Sequence, residues 1–289
     1  MIYVFGGIST GENSTDYNKV YKYDPSSNQW SVKASMPEHL FEISAHTVNN
    51  KIYIFGGYGL EGFNNSVLEY DPQNDTWEKK TPIPAYRYLF QSGVVNGKIY
   101  IIGGQGTIDD GPWESGKDWE VKREVEIYDP VTDSWSIGAD APINLYDGAA
   151  CALNGDIFIF GGKEDHFTYH ENNYRYSTST DSWTMLASNE NIRNSHACVA
   201  SGDKFYLFGG WYSTLDSLDE IQERTLDLIE VYSPESDTLT EISTYLPTPK
   251  YNFTADIIGT EVYLVGGKIG EENITLNSLE IIDINTIDQ

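Results

Sequence analysis

A six-bladed, all-β propeller is the fold class that the 289-residue sequence predicts. Three observations support it: a short strand-forming run ending in Gly-Gly recurs six times, tight-turn signals precede its internal copies, and a Tyr-Asp-Pro turn followed by Trp comes after several of them. One four-stranded antiparallel sheet cannot bury both of its faces, whereas six such sheets around an axis cover one another. The repeat therefore predicts one structural unit used six times.

The Gly-Gly runs consist of β-branched, aromatic and aliphatic residues, which favour strands. They are IYVFGG (2–7), IYIFGG (52–57), IYIIGG (99–104), IFIFGG (157–162), FYLFGG (205–210) and VYLVGG (262–267). The repeats that they define, all within a single domain, cover about residues 1–37, 38–84, 85–142, 143–188, 189–247 and 248–289.

The other strands of each unit are marked by turn residues. Asn-Gly pairs at 96–97 and 154–155 predict tight hairpins before the Gly-Gly runs. Downstream, VYKYDPSSNQW (20–30), VLEYDPQNDTW (67–77) and VEIYDPVTDSW (125–135) predict two strands joined at Asp-Pro. Each repeat thus has four strands, named a to d, with the Gly-Gly pair after strand b and the Trp at the start of strand d.

This combination of Gly-Gly, Tyr-Asp-Pro and Trp resembles the kelch repeat family, whose period is near 50 residues. The resemblance covers the whole chain and implies a β-propeller. The resemblance weakens towards the C-terminus: the fourth repeat lacks Asp-Pro, the fifth has Leu239 where Trp is expected, and the sixth stops early. The pattern accounts for 22 of 24 strands, so we expect incomplete first and last blades. Either the chain is part of a longer protein, or its last residues partly complete the seam.

Composition excludes several partners. Lys plus Arg is 18 and Asp plus Glu is 44, which gives a net charge of −26. This charge repels nucleic acid and anionic membrane surfaces. No transmembrane segment is predicted, and the N-terminal MIYVFGG does not have the pattern of a signal peptide. We expect no cofactor.

Antiparallel alternation places the short a–b and c–d turns on one face and the b–c and d–a connections on the other. The b–c loops are long and irregular, which favours a ligand-binding role for their face. They run over 8–18, 58–66, 105–122, 163–172, 211–226 and 268–276. Their acidic and aromatic residues suit sugars, cationic peptides or cations, and Trp113, Trp119 and Trp211 are candidate contacts. The alternative is a solvated rim whose aromatic residues pack within their own loops. Residues 215–230 are also compatible with a short helix.

The start of strand a gives a second set of candidates when residues are counted back from each first glycine. Sixteen residues back are Leu40, Arg87, Leu145, Arg193 and Lys250; fifteen back are Phe41, Tyr88, Tyr146, Asn194 and Tyr251; fourteen back are Glu42, Leu89, Asp147, Ser195 and Asn252. Arg87, Arg193 and Lys250 would bind an anionic group, because Arg gives forked contacts to carboxylates. Tyr88, Tyr146, Asp147, Asn194 and Tyr251 complete the predicted site. The alternative is that the basic residues support the scaffold, as resemblance to kelch repeats equally implies.

The sequence contains no coherent catalytic set and no strong metal site. EDHFTYH (164–170) has the side chains of metal ligands, but we interpret it as a polar loop. Cys151 and Cys198 lie in adjacent inner strands with opposite side-chain parity. We expect small buried thiols there, with a disulfide as the alternative.

Two functions follow from this reasoning. The first is a non-catalytic interaction module that recognises a protein segment or a glycan through the b–c/d–a face. The alternative, which rests on resemblance to bacterial kelch propellers, is a sugar-processing enzyme of the isomerase or mutarotase type. It would hold an acidic sugar with Arg87 or Arg193 and use Asp147 or Glu42 as acid or base.

Overall fold

A computed structural model describes residues 1–8, 17–60, 62–107, 118–165, 168–215 and 221–287. The chain divides into two compact units, Met1–Ala141 and Pro142–Gln289. Apart from one turn of 3-10 helix at Ile284–Thr286, the regular elements of the described residues are strands, as the repeats predict. In the described ranges, no helix has the length and apolar character needed to cross a bilayer.

The described residues of unit 1 form seventeen strands. They are β1 (Ile2–Phe5), β2 (Val20–Asp24), β3 (Gln29–Lys33), β4 (Leu40–Phe41), β5 (Ser44–Val48), β6 (Lys51–Phe55), β7 (Tyr58–Gly59), β8 (Gly62–Phe63), β9 (Val67–Asp71), β10 (Thr76–Lys80), β11 (Arg87–Tyr88), β12 (Gln91–Val95), β13 (Lys98–Ile102), β14 (Gln105–Thr107), β15 (Trp119–Val121), β16 (Val125–Asp129) and β17 (Ser134–Gly138). Its blades have the strand orders β1-β2-β3, β5-β6-β9-β10 and β12-β13-β16-β17.

Unit 2 repeats the arrangement. Its strands are β18 (Ala149–Leu153), β19 (Asp156–Phe160), β20 (Asn173–Ser177), β21 (Ser182–Leu186), β22 (Arg193–Asn194), β23 (Ala197–Ser201), β24 (Lys204–Phe208), β25 (Trp211–Leu215), β26 (Ile221–Thr225), β27 (Leu228–Ser233), β28 (Thr238–Tyr245), β29 (Thr254–Ile258), β30 (Glu261–Val265), β31 (Lys268–Ile269), β32 (Ile274–Thr275) and β33 (Leu279–Asp283). Its blades have the orders β18-β19-β20-β21, β23-β24-β27-β28 and β29-β30-β33. Within the described ranges, blades 1 and 6 therefore have three strands and blades 2 to 5 have four.

Strand b is most completely buried in the four-stranded blades. The last four residues of β6, β13, β19 and β24 are all buried, because neighbouring strands cover their edges and apolar residues pack on both faces. In β1, which pairs only with β2 among the described residues, burial is complete at Ile2 alone. Antiparallel register, such as Ile99 opposite Tyr128, places a buried aliphatic residue of strand b beside the buried tyrosine of strand c.

The cores lie between adjacent blades. In unit 1, one cluster joins blades 2 and 3 through residues such as Phe55, Ile101 and Tyr128. In unit 2, a corresponding cluster joins blades 4 and 5 through Phe160 and Phe205. A Cβ at Gly209 would lie 2.5 Å from the Lys250 carbonyl oxygen of the next blade, which explains the glycine that ends strand b.

An aspartate in the c–d turn connects each of several blades to the preceding one. In blade 3, Asp133 Oδ1 accepts hydrogen bonds from Tyr128 Oη at 2.6 Å and from the Thr81 amide of blade 2 at 2.9 Å. Trp135 Nε1 donates to the Thr81 carbonyl at 3.1 Å. Equivalent aspartates are Asp75, which binds the Ala34 amide, and Asp237, which binds the Ala187 amide. The repeated Tyr, Asp and Trp are thus blade-to-blade contacts.

Two sequence predictions are wrong. Cys151 and Cys198 form a disulfide between β18 and β23, with their Cα atoms 6.1 Å apart, so they are not free thiols. Their strands are neighbours, and both side chains point into the junction between them. The helix expected within 215–230 is also absent from its described residues: β26 and β27 occupy 221–225 and 228–233, and 216–220 lie outside the described ranges.

Candidate functional site

The b–c connections extend the sheets beyond the blades. In blades 2, 3 and 5, each b–c hairpin pairs with a two-residue strand that lies shortly before strand a. This pairing gives the small sheets β4-β7-β8, β11-β14-β15 and β22-β25-β26. In blades 4 and 6, single bridges join Tyr146 to Lys163 and Tyr251 to Lys268. Hereafter the loop face means these connections and the strand-a starts that they contact.

The three basic candidates are buried inside their own blades. Arg87 is 1% exposed, and Arg193 and Lys250 are 0% exposed. Arg87 Nη2 lies 3.0 Å from Glu126 Oε2, Arg193 is paired with Glu230, and Lys250 Nζ lies 2.7 Å from Glu280 Oε1. These three side chains therefore neutralise carboxylates of strand c.

The arginines also bind the ends of strand b. Arg87 Nη1 donates to the Gly103 carbonyl, and Arg193 Nη1 donates to the Gly209 carbonyl, both at 3.0 Å. Blade 2 has Leu40 and Leu68 at the positions of the Arg and Glu, and the two leucines share a core cluster. This exchange of Leu–Leu for Arg–Glu is visible in the sequence and identifies the glutamates that motif reasoning missed.

Unit 1 presents an aromatic cluster on the loop face. Tyr88 stacks on Phe63 with centroids 4.9 Å apart and meets Tyr58 edge-on at 5.6 Å. Phe41 lies 5.3 Å from Tyr58 and 5.7 Å from Tyr17. All five rings except that of Phe63 are half-exposed, which makes them available for contact with a ligand. Of these residues, only Tyr88 belongs to the site that the sequence predicts.

Unit 2 presents a polar cluster, which we call the Asp147 cluster and which consists of Asp147, Asn194 and Ser195. Ser195 Oγ donates to the Asp147 carboxylate at 2.8 and 3.0 Å, and Asn194 Nδ2 donates to Asp147 Oδ2 at 2.5 Å. Burial raises the pKa of Asp147, although hydrogen bonds from Ser195 and Asn194 oppose this effect. The sequence places all three residues at the starts of strand a, and the predicted site includes Asp147 and Asn194 without Ser195.

The aromatic candidates of unit 2 support its loops. Tyr251 is buried, its ring centroid lies 5.0 Å from that of Trp211, and its hydroxyl binds Asn273. Tyr146 is 4% exposed and donates from Oη to the Asp165 carbonyl at 3.0 Å. The half-exposed Trp211 is therefore the ring of this group most accessible to a ligand.

The remaining candidates lie on the longer loops. Trp119, in β15, is 36% exposed and stands opposite Thr107. Trp113 lies outside the described residues. In the EDHFTYH segment, His170 is buried and its Nε2 lies 3.1 Å from the Asn144 carbonyl oxygen.

A shared backbone conformation explains the regularity of the strand-a starts. The residue fourteen positions before each first glycine has φ between 51° and 57° in all five cases, namely Glu42, Leu89, Asp147, Ser195 and Asn252. This left-handed residue turns the chain from the small sheet into strand a. In unit 2, the Ser195 amide donates to the Asp147 carbonyl and the Asn252 amide to the Ser195 carbonyl, each at 2.9 Å. These bonds fix adjacent blades at the loop face.

Comparisons with known proteins agree with this architecture. Kelch-like protein 36 from Bos taurus is 25% identical over 98% of the chain and 36% of its own length. Alpha-scruin from Limulus polyphemus is 22% identical over 98% of the chain and 31% of its own length. The chain thus spans about a third of the length of these curated relatives. A solved structure titled "Structure of YjhT" shares the fold with a TM-score of 0.79 and 15% identity, over 92% of this chain and 88% of that one.

The family comparison covers nearly the entire sequence. The KLHDC2/KLHL20/DRC7 Kelch-repeats domain matches residues 1–138 and again 93–288. With the strand orders above, this match confirms the predicted fold class, a six-bladed, all-β kelch-type propeller with incomplete first and last blades. The chain belongs to the kelch-repeat family.

Proposed function

We propose that the chain is a non-catalytic interaction module that recognises a segment of a partner protein through its loop face. The observation that carries this proposal is the pairing of irregular b–c hairpins with the strand-a starts. Variable side chains are thereby held on a rigid framework, which is the usual arrangement of a binding surface. Membership of the kelch-repeat family supports the same function.

Rigid aromatic side chains supply the expected contact area. Tyr and Trp lose little conformational entropy on binding and frequently dominate interface energies. The half-exposed rings of Tyr58 and Tyr88 in unit 1 and of Trp211 in unit 2 are suitably placed for this role. A glycan would also stack on such rings, so glycans remain the second ligand class of the proposal.

The sugar-enzyme alternative has less support. It needs Arg87 or Arg193 to hold a substrate carboxylate, but both guanidinium groups are buried and paired with glutamates of their own blades. Freeing either group would leave a buried carboxylate without its cation, at a cost of several kcal/mol. We therefore favour the interaction module.

Selection of displayed random peptides against the full chain tests the proposal. We expect Tyr88→Ala and Trp211→Ala each to weaken binding of selected peptides about tenfold, as for central interface aromatics. Trp30→Ala is the matched control, because Trp30 is 43% exposed on β3, an outer strand, and should leave affinity unchanged. Binding that is insensitive to both loop-face variants would contradict the proposal, and a glycan array run with the same variants tests the second class.

A further inference from the structure

The Asp147 cluster contains a buried acceptor that lacks a donor. Asn194 is 3% exposed, and its Oδ1 atom accepts no hydrogen bond from any described residue. Its Nδ2 atom faces the Asp147 carboxylate at 2.5 Å and Ser195 Oγ at 2.8 Å. Turning the amide over would place Oδ1 against the carboxylate, so the unsatisfied acceptor is fixed by the cluster itself.

An unsatisfied buried acceptor destabilises the fold and therefore calls for a partner. The neighbouring group is also an acceptor, since ionised Asp147 offers only oxygen lone pairs. Among the groups that contact it, the donors of Ser195 and Asn194 are neutral. A ligand that satisfies both Asn194 Oδ1 and Asp147 must therefore supply several N–H groups, and a positive charge would offset the burial of the carboxylate.

The surroundings favour a cation over an anion. Arg193 and Lys250 are paired with Glu230 and Glu280 inside their blades, and Lys163, whose amine lies 4.7 Å from the centre of the Tyr169 ring, is the nearby cation whose charge acts on Asp147. The net charge of −26 attracts cationic partners over a distance. Trp211 stands directly opposite Asn194 in the β22–β25 pairing, and an indole face is a good surface for a cation.

We propose that the Asp147 cluster binds a donor-rich cationic side chain, that of arginine, from the partner segment. This inference rests on the proposed function and specifies its ligand chemistry. The guanidinium group is planar and carries five N–H donors, enough to bind Asp147 and Asn194 Oδ1 at once. The proposed ligand is a cation, whereas Arg87, Arg193 and Lys250 considered in the sequence alone predict an anion.

A pair of small probes tests the inference directly. N-acetyl-L-arginine methylamide and its citrulline counterpart have nearly the same shape, but only the first is charged. Each probe is titrated into the full chain, and binding is monitored by NMR. The arginine probe should bind at least fivefold more tightly than the citrulline probe. Equal affinities of the two probes would overturn the inference, and this comparison needs no variant.

Two variants locate the effect. Asp147→Asn should abolish the preference for arginine, whereas Asp203→Asn, which removes the same charge at the exposed a–b turn of blade 5, should leave it intact. If selected peptides depend on Tyr88 and Trp211 but lack arginine and tolerate Asp147→Asn, the inference fails while the proposed function stands. If no peptide depends on the loop face, both fail.

Discussion

Two equivalent blade junctions, between blades 2 and 3 in unit 1 and between blades 4 and 5 in unit 2, use different chemistry at the same positions. Ten and eleven residues before the respective glycines, unit 1 has His46 and Ser92, whose Nε2 and Oγ atoms are 2.8 Å apart. Unit 2 has Cys151 and Cys198, which form a disulfide. The backbone geometry of the junction is thus maintained by either a hydrogen bond or a covalent bond.

The junctions differ again thirteen residues before each glycine. Phe90 packs on Gly56 in unit 1, whereas His196 occupies the corresponding place beside Gly161 in unit 2. Both nitrogens of His196 lack a hydrogen-bond partner among the described residues, although the side chain is only 6% exposed. The junction of unit 2 therefore combines a covalent link with a polar group in an apolar position, so each junction balances its own stabilising and destabilising contacts.

Stability should depend most strongly on the Arg–Glu pair, which blades 3 and 5 have at the same positions. Arg193→Leu should lower the free energy of unfolding by about 3–5 kcal/mol, because it leaves Glu230 buried without its cation. The double variant Arg193→Leu/Glu230→Leu reproduces the Leu40 and Leu68 pair of blade 2 and should recover most of the loss. Urea unfolding of both variants measures this, and a double variant as unstable as the single one would contradict the explanation.

Removing the disulfide should make the junction of unit 2 more like that of unit 1. Cys151 and Cys198 are 47 residues apart, so loss of the cross-link should cost about 3–4 kcal/mol by loop-closure entropy. Thermal unfolding with and without a reductant measures it, and a Cys151→Ala/Cys198→Ala variant should not respond to the reductant. Detection of two free thiols in denatured, unreduced protein would show that the link does not form.

The smallest effect comes from the histidine. His196→Phe, which copies Phe90, should stabilise the chain by about 1–3 kcal/mol at pH 7, since it removes two unsatisfied nitrogens. Burial, with a smaller effect of Arg193, holds the pKa of His196 well below that of an unfolded histidine. The unfolded state consequently binds more protons below about pH 6.5, and stability falls as the pH decreases. The variant should lose less stability between pH 7 and 5 than the native chain, and parallel pH profiles would count against this.

The sequence predicts the blades well, because the Gly-Gly runs and turn residues act locally and recur at matching positions. It does not predict the small sheets of the loop face, since loops of unequal length pair with only two residues before strand a. The basic residues alone are compatible with either an anion site or a scaffold role. The partner of Arg193 is Glu230, 37 residues away, and only a comparison with Leu40 and Leu68 of another blade exposes the pairing.

The aspartate of the c–d turn has a consequence for how such a protein can be rearranged. Asp133 holds a tyrosine of its own blade and an amide at the end of the previous one. A graft that begins at the inner strand of blade 3 would therefore separate this carboxylate from the Thr81 backbone. The exchangeable module is a blade together with the few residues that precede it. Cut points placed at the boundaries between sheets would break the aspartate contact that joins two blades.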